Sequence, residues 1–305
     1  MGIFFYFCNV KRKVYILGAI AAALIIAGAA GLINQNRAGA SQTAATEESR
    51  QISVGHPSEK TDKYDSQNIV LAGKLHFDRL DHVKMPKDVP SQEKDYTGFR
   101  LSFNRENHTP NWVAWELLGS ETEGEKTRSN KFWQDSDIEG CPTTRDYSHS
   151  GFDRGHLCPA ADQKWSARAM EDCFVLANIA PQNHSLNSGA WNTLENKERA
   201  WARRDSAIMI VAGPIYSDTD RQRIGEAGVR VPGAFFKVIA APYAESPRGI
   251  AFVYPNMTAP GNMENYVMTV NEVEQLTGFD FFHELPDNIE DAVESTAALK
   301  EWNRR

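Results

Sequence analysis

Phe152-Asp153-Arg154-Gly155-His156-Leu157-Cys158-Pro159-Ala160 is the stretch on which the rest of the chain is read. About thirty residues on comes a second dense block, Ala177-Asn178-Ile179-Ala180-Pro181-Gln182-Asn183-His184-Ser185-Leu186-Asn187-Ser188-Gly189-Ala190-Trp191-Asn192-Thr193-Leu194-Glu195. Its Pro181-Gln182-Asn183-His184-Ser185 portion reads as a turn entering a helix. From about Ser188 the apolar positions Ala190, Trp191, Leu194, Ala200 and Trp201 follow a helical period. Asn187, Trp191, Glu195 and Arg199 come at steps of four, which keeps side chains near one helix face. Taken singly, these features are bland. A lone His beside Gly and Arg is more often structural, and a surface Glu195–Arg199 pair is worth only about 0.3–0.5 kcal/mol.

Taken together, the two blocks resemble the DRGH motif and the metal-binding helix of the DNA/RNA non-specific endonucleases, the family of the Serratia-type secreted nuclease and mitochondrial endonuclease G. The resemblance covers about residues 95–285. It implies an α+β domain with a ββα-metal motif packed on a central, mainly antiparallel sheet. It also implies hydrolysis of DNA and RNA phosphodiesters that leaves 5′-phosphate ends. By the same resemblance His156 is the general base, Asn187 the direct metal ligand, and Glu195 holds metal-bound water. Arg199 and Arg128 approach phosphate, with Arg128 resting on a looser match. Arg154 either positions the scissile phosphate or braces its own loop, and Asp153 is a supporting residue.

The chemistry needs these residue types. A neutral His takes a proton from water near pH 7, since its ordinary pKa is roughly 6.5. A hard divalent cation neutralises charge on the phosphoryl oxygens and assists the leaving oxygen. Mg²⁺ keeps several waters and often takes only one or two protein ligands, so one side-chain amide oxygen suffices. Mg²⁺ is therefore the expected cofactor, with Mn²⁺ able to substitute. His184, close to Asn187, competes for the base role, and His149 reads as a loop residue.

Composition is compatible but not diagnostic. The chain has 305 residues, 41% hydrophobic and 24% charged, with a net charge of −7. That acidity argues against passive coating of nucleic acid, which depends on neutralising phosphates. A hydrolase needs only local positive charge, for which Arg128, Lys131, Arg154, Arg199, Arg203 and Arg204 are candidates.

The N-terminus carries the second strong signal. Residues 14–33 are twenty positions without a charge, preceded by Lys11-Arg12-Lys13. Such a run spans about 30 Å of hydrocarbon, and the basic flank places the following chain on the non-cytoplasmic side. It is longer than an ordinary signal h-region, which favours an uncleaved anchor. Ala38-Gly39-Ala40 keeps a cleaved signal peptide open. Either way the catalytic domain is exported. Residues 1–13 then form a short cytoplasmic N-terminus, 34–68 a polar linker, and 69–305 the endonuclease domain, with order expected from Ile69.

Apolar runs predict strands at 99–103, 112–118, 207–211, 235–240 and 250–253, and helices at 166–173, 190–203 and 268–276, with a short helix within 291–302. The aromatics at Phe235, Phe236, Phe279, Phe281 and Phe282 are expected to fill core. Of four cysteines, Cys8 precedes the apolar run. Cys141, Cys158 and Cys173 are an odd exported set, with a Cys158–Cys173 bridge left open. DNA and RNA are the expected substrates, with the membrane as a partner through residues 14–33 and homodimerisation left open. Two other functions remain: a metal-dependent phosphodiesterase for nucleotides or small diesters, and a non-catalytic surface receptor for nucleic acid. The presence of His156, Asn187 and Glu195 argues against the receptor.

Overall fold

A computed structural model of the chain describes residues 81–304, apart from Tyr243 and Pro260. The expected anchor or signal, the linker and the expected start of order at Ile69 lie outside these residues. Among the described residues, no helix is long and apolar enough to cross a membrane.

Seven strands form one sheet: β1 (Gln92–Tyr96), β2 (Phe99–Asn104), β3 (Thr109–Leu118), β6 (Ala207–Ile215), β9 (Ala234–Ala241), β10 (Arg248–Pro255) and β11 (Val267–Met268). They lie in the order β1-β2-β3-β6-β9-β10-β11, and every pairing is antiparallel. β4 (Asp153–His156) pairs with β5 (Ile179–Gln182), and β7 (Arg223–Ile224) with β8 (Val229–Arg230), as separate two-stranded ribbons. An antiparallel sheet with one wet face alternates apolar and polar residues. Here β6 and β9 are almost wholly buried along their length, so both faces are covered.

On one face, Val113, Trp115, Ile210, Ile239 and Phe252 pack in a core shared with Leu157, Leu186, Trp191 and Leu194 from the two sequence blocks. Against the other face lie α3 (Val270–Thr277) and α4 (Asp287–Glu294). There Phe236 meets the rings of Phe279 and Phe281 at 6.3 and 5.5 Å. The expected core aromatics are buried, with Phe279 half-buried.

α1 (Ala167–Asp172) is capped by Ser166, whose side chain accepts from the Ala169 N–H. The motif helix differs from expectation at its start. Pro181 and Gln182 end strand β5 rather than forming a turn. A π-helical turn, Leu186–Trp191, then leads into α2 (Asn192–Asp205). The wider turn breaks the step-of-four register. Trp191 consequently points into the core, 5.7 Å from Phe235, and does not share a working face with its neighbours. Arg203 and Arg204 also serve structure. Arg203 donates to Thr122, and Arg204 donates to the Trp302 carbonyl in α5 (Leu299–Trp302), anchoring the C-terminal segment.

Candidate active site

β4 carries the first block. Side chains alternate across a strand, so Arg154 and His156 lie on one face and Asp153 and Gly155 on the other. Gly155 pairs with Ala180 of β5. A Cβ there would come within 2.6 Å of the Gln182 Cβ, closer than real contacts allow. Overpacking of this kind costs about 1–3 kcal/mol. Gly155→Ala should therefore lower the urea midpoint by that equivalent without changing the m-value. An unchanged midpoint would show that β4 and β5 part more easily than this packing implies.

His156 is 8% exposed. Its ring sits between Phe132, at 5.3 Å, and Phe174, at 4.8 Å edge-on. Nε2 is buried without a hydrogen-bond partner among the described residues. Burial, with the cationic Arg128 and Arg154 adding to it, pushes the imidazole down to about 3. Each arginine lies over one of the same two rings: Arg154 over Phe132 at 4.5 Å, Arg128 over Phe174 at 5.1 Å. His156, Arg154 and Arg128 thus form one group.

A second group is built on Asp153. Its Oδ2 accepts from Asn187 Nδ2 at 2.8 Å and lies 2.9 Å from His184 Nδ1. Holding the amide nitrogen this way leaves Asn187 Oδ1 without a hydrogen bond among the described residues. His184 is 77% exposed at its side chain.

A third group lies along α2. Asp162, fully buried, accepts from Arg199 at 2.7 Å and from the Trp115 indole at 3.1 Å. Arg199 also donates to Asn196 at 2.9 Å. The structure therefore turns Arg199 onto a carboxylate that needs a counter-charge once buried. Glu198 and Lys237 form a fully buried pair at 3.0 Å, with the ammonium 4.5 Å from the Trp191 ring centroid. Glu195 is half-buried and makes no hydrogen bond or ion pair among the described residues. Burial pushes it up to about 7; Lys237 opposes, and Glu198 and Asp162 add to the rise.

Three carboxylates (Asp162, Glu195, Glu198) thus face two cations (Arg199, Lys237). Glu195 is the uncompensated charge. An oriented amide oxygen and an uncompensated carboxylate on one helical segment suit a hard divalent cation with oxygen ligands. Such oxygen donors are compatible with the metal expected from the sequence, and Asn187 and Glu195 are the residues that could hold it.

Sequence reasoning gave no site role to Asp162, Glu198, Lys237, Phe132 and Phe174. Lys237 had a signal: one lysine inside the otherwise apolar Ala234–Ala241 marks a charge that must find a partner. No bridge forms between Cys158 and Cys173. Cys141, Cys158 and Cys173 are buried free thiols. The Cys158 sulfur accepts from Gln163 and the Cys173 thiol donates to the Met170 carbonyl, both at 3.2 Å. Burial pushes the Cys173 thiol up to about 12 and Cys141 to about 11, which makes them poor nucleophiles.

Residues 78–288 match the model of the DNA/RNA non-specific endonuclease family. The chain belongs to that family. Mitochondrial nuclease EXOG of Danio rerio is 35% identical over 211 residues, covering 63% of this chain and 61% of the relative. Mitochondrial endonuclease G of Homo sapiens is 32% identical, with 63% and 69% covered, and a nuclease of Nostoc is 31% identical, with 65% and 75% covered. The chain spans about three fifths of the length of the Danio relative. A crystal structure of EndoG with EndoGI matches with a TM-score of 0.61 at 26% identity, over 67% of this chain and 91% of the other.

Proposed function

We propose that the chain is an exported, metal-dependent endonuclease that hydrolyses DNA and RNA with little sequence preference, using Mg²⁺ with Mn²⁺ as a substitute. The observation that carries this reading is the pairing of a buried, neutral His156 flanked by two arginines with an amide, Asn187, held from the same short strand. His156 is uncharged at neutral pH, so its unprotonated nitrogen accepts a proton from the attacking water. Arg128 and Arg154, stacked on Phe174 and Phe132, offer fixed donors to phosphate oxygens. A bound phosphate offsets their charge and raises the basicity of His156 at the moment it is used. Asp153 keeps the Asn187 oxygen presented, and Glu195 orients water. When bound, the divalent ion supplies charge neutralisation at the phosphoryl group and leaving oxygen.

The exposed His184–Asp153 pair is the specific observation favouring a second base, and the His156 variant discussed below separates the two. Export rests on Lys11-Arg12-Lys13 and the uncharged run 14–33. Cells making the full-length chain should hold Mg²⁺-dependent activity on plasmid, single-stranded DNA and RNA. EDTA should abolish it, and alkaline carbonate should leave it with the membranes. Persistence of all three substrates at saturating Mg²⁺ and Mn²⁺ would overturn the nuclease reading. Activity confined with cytoplasmic markers would overturn export.

A further inference from the structure

A cleft of about 600 Å³ opens beside the His156 group, with Lys126, Lys131, Phe132, Trp133 and Met170 among its walls. That volume lies within the roughly 300–1,000 Å³ of small-molecule sites. Phe132 is shared: its ring lies 5.3 Å from that of His156, and Arg154 of the same group lies over it at 4.5 Å. The cleft and the His156 group thus share Phe132 as a common wall.

Its charge sets it apart from the rest of an acidic chain. The ammonium groups of Lys126 and Lys131 make no hydrogen bond or ion pair among the described residues. The one carboxylate in the wall, Glu171, lies 3.7 Å from Arg168. Trp133 also lines a second cleft. That one holds Asp95, Asp135, Asp137 and Asp172 against Lys94 and Arg168, and its bases are already paired to its acids. A polyanion leaving the His156 group is drawn to the first cleft and repelled by the second. The indole of Trp133 is pinned by its N–H to the Glu171 carbonyl at 3.0 Å, so its ring is held in place as a stacking surface.

The geometry points to this cleft as a nucleotide subsite: Lys126 and Lys131 take a backbone phosphate flanking the cleaved one, and Trp133 stacks on the unpaired base. The proposal rests on the endonuclease reading and deepens it. It gives single-stranded nucleic acid a preferred path across the protein. Stacking on aromatics tolerates any base, which suits cleavage without sequence preference.

Binding of a labelled oligothymidylate to the full-length chain in EDTA tests the subsite without requiring cleavage. The Lys126→Ala/Lys131→Ala variant should bind about tenfold more weakly. Each lost phosphate contact lowers the slope of log K against log salt by roughly 0.7 for single strands, so the double variant, which gives up the one phosphate the two lysines share, should lose about 0.7. Replacing the bases of the oligothymidylate by abasic residues throughout should weaken wild-type binding several-fold and make little further difference in Trp133→Ala. If Trp133→Ala fails to fold, the abasic comparison in the wild type still decides. Unchanged affinity and salt slope in the lysine variant overturn the subsite, and so does equal displacement by polyglutamate, which marks a generic anion-binding patch. Wild-type binding without cleavage at saturating metal would instead defeat the endonuclease reading and leave the subsite standing.

Discussion

His156→Ala should lower phosphodiester cleavage by about 10²–10⁴, the usual contribution of a positioned general base, while nucleic-acid affinity stays close to that of the parent. The binding groups proposed here, Arg128, Arg154 and the lysines of the cleft, do not depend on the imidazole for charge. Loss of the ring does leave space between Phe132 and Phe174, so the more conservative His156→Asn should be measured beside it. Single-turnover cleavage and oligonucleotide binding, each with a near-ultraviolet dichroism control, separate chemistry from folding. If both variants cleave within threefold of the parent, His184 with its Asp153 partner becomes the base. The pH profile adds a second handle. Burial and the two arginines hold His156 down at about 3, so it is already neutral across the working range and contributes no acid limb near 6.5. At subsaturating Mg²⁺, an acid limb of kcat/KM near 7 is expected from Glu195, which burial pushes up to about 7. Glu195→Gln should remove it.

Asn187→Ala should remove the one direct protein ligand and cost more than about 100-fold in metal affinity, beyond the roughly 10–100-fold typical of outer partners. Asp153→Ala and Glu195→Ala should fall inside that lower range, because the first acts through the Asn187 amide and the second through water. Metal binding also competes with a proton. Glu195 has a raised affinity for its proton in the metal-free protein, and the ion requires the carboxylate. Below pH 7 the apparent Mg²⁺ affinity should therefore weaken by up to about tenfold per pH unit, and above it should level off. Calorimetric binding of Mg²⁺ or Mn²⁺ that is unchanged in Asn187→Ala would defeat the ligand assignment.

Much of the fold was legible because the central strands are apolar runs. Expected strands at 112–118, 207–211 and 235–240 lie within β3, β6 and β9. β1 was missed because Gln92–Tyr96 is a polar edge strand, half-buried at alternate positions. Its pairing is written in the backbone of β2, not in its own side chains. β4 was missed as a strand because Asp153-Arg154-Gly155-His156 has no period-two apolar pattern, and β5 supplies its partner 26 residues later. The blocks named the site residues through a resemblance, but spacing misjudged their surface. Steps of four assume an unbroken α-helix, and the π turn at Leu186–Trp191 rotates Trp191 inward. The groups that tune the site come from far away in sequence. Phe132 and Phe174 bracket His156 from separate segments, and Lys237 reaches Glu198 across 39 positions.

The Lys237–Glu198 pair also constrains how this lineage can drift. With both side chains fully buried, replacing either alone strands a charge at about 3–5 kcal/mol. That is a large share of the roughly 5–15 kcal/mol that holds a domain folded. Replacing both with apolar residues of similar size is close to neutral by the same reckoning. The two positions are thus separated from a hydrophobic alternative by an intermediate that gives up a large share of the folding free energy. Descendants should inherit the ion pair whole or exchange it whole, and the strand and helix that carry it travel through divergence as one unit.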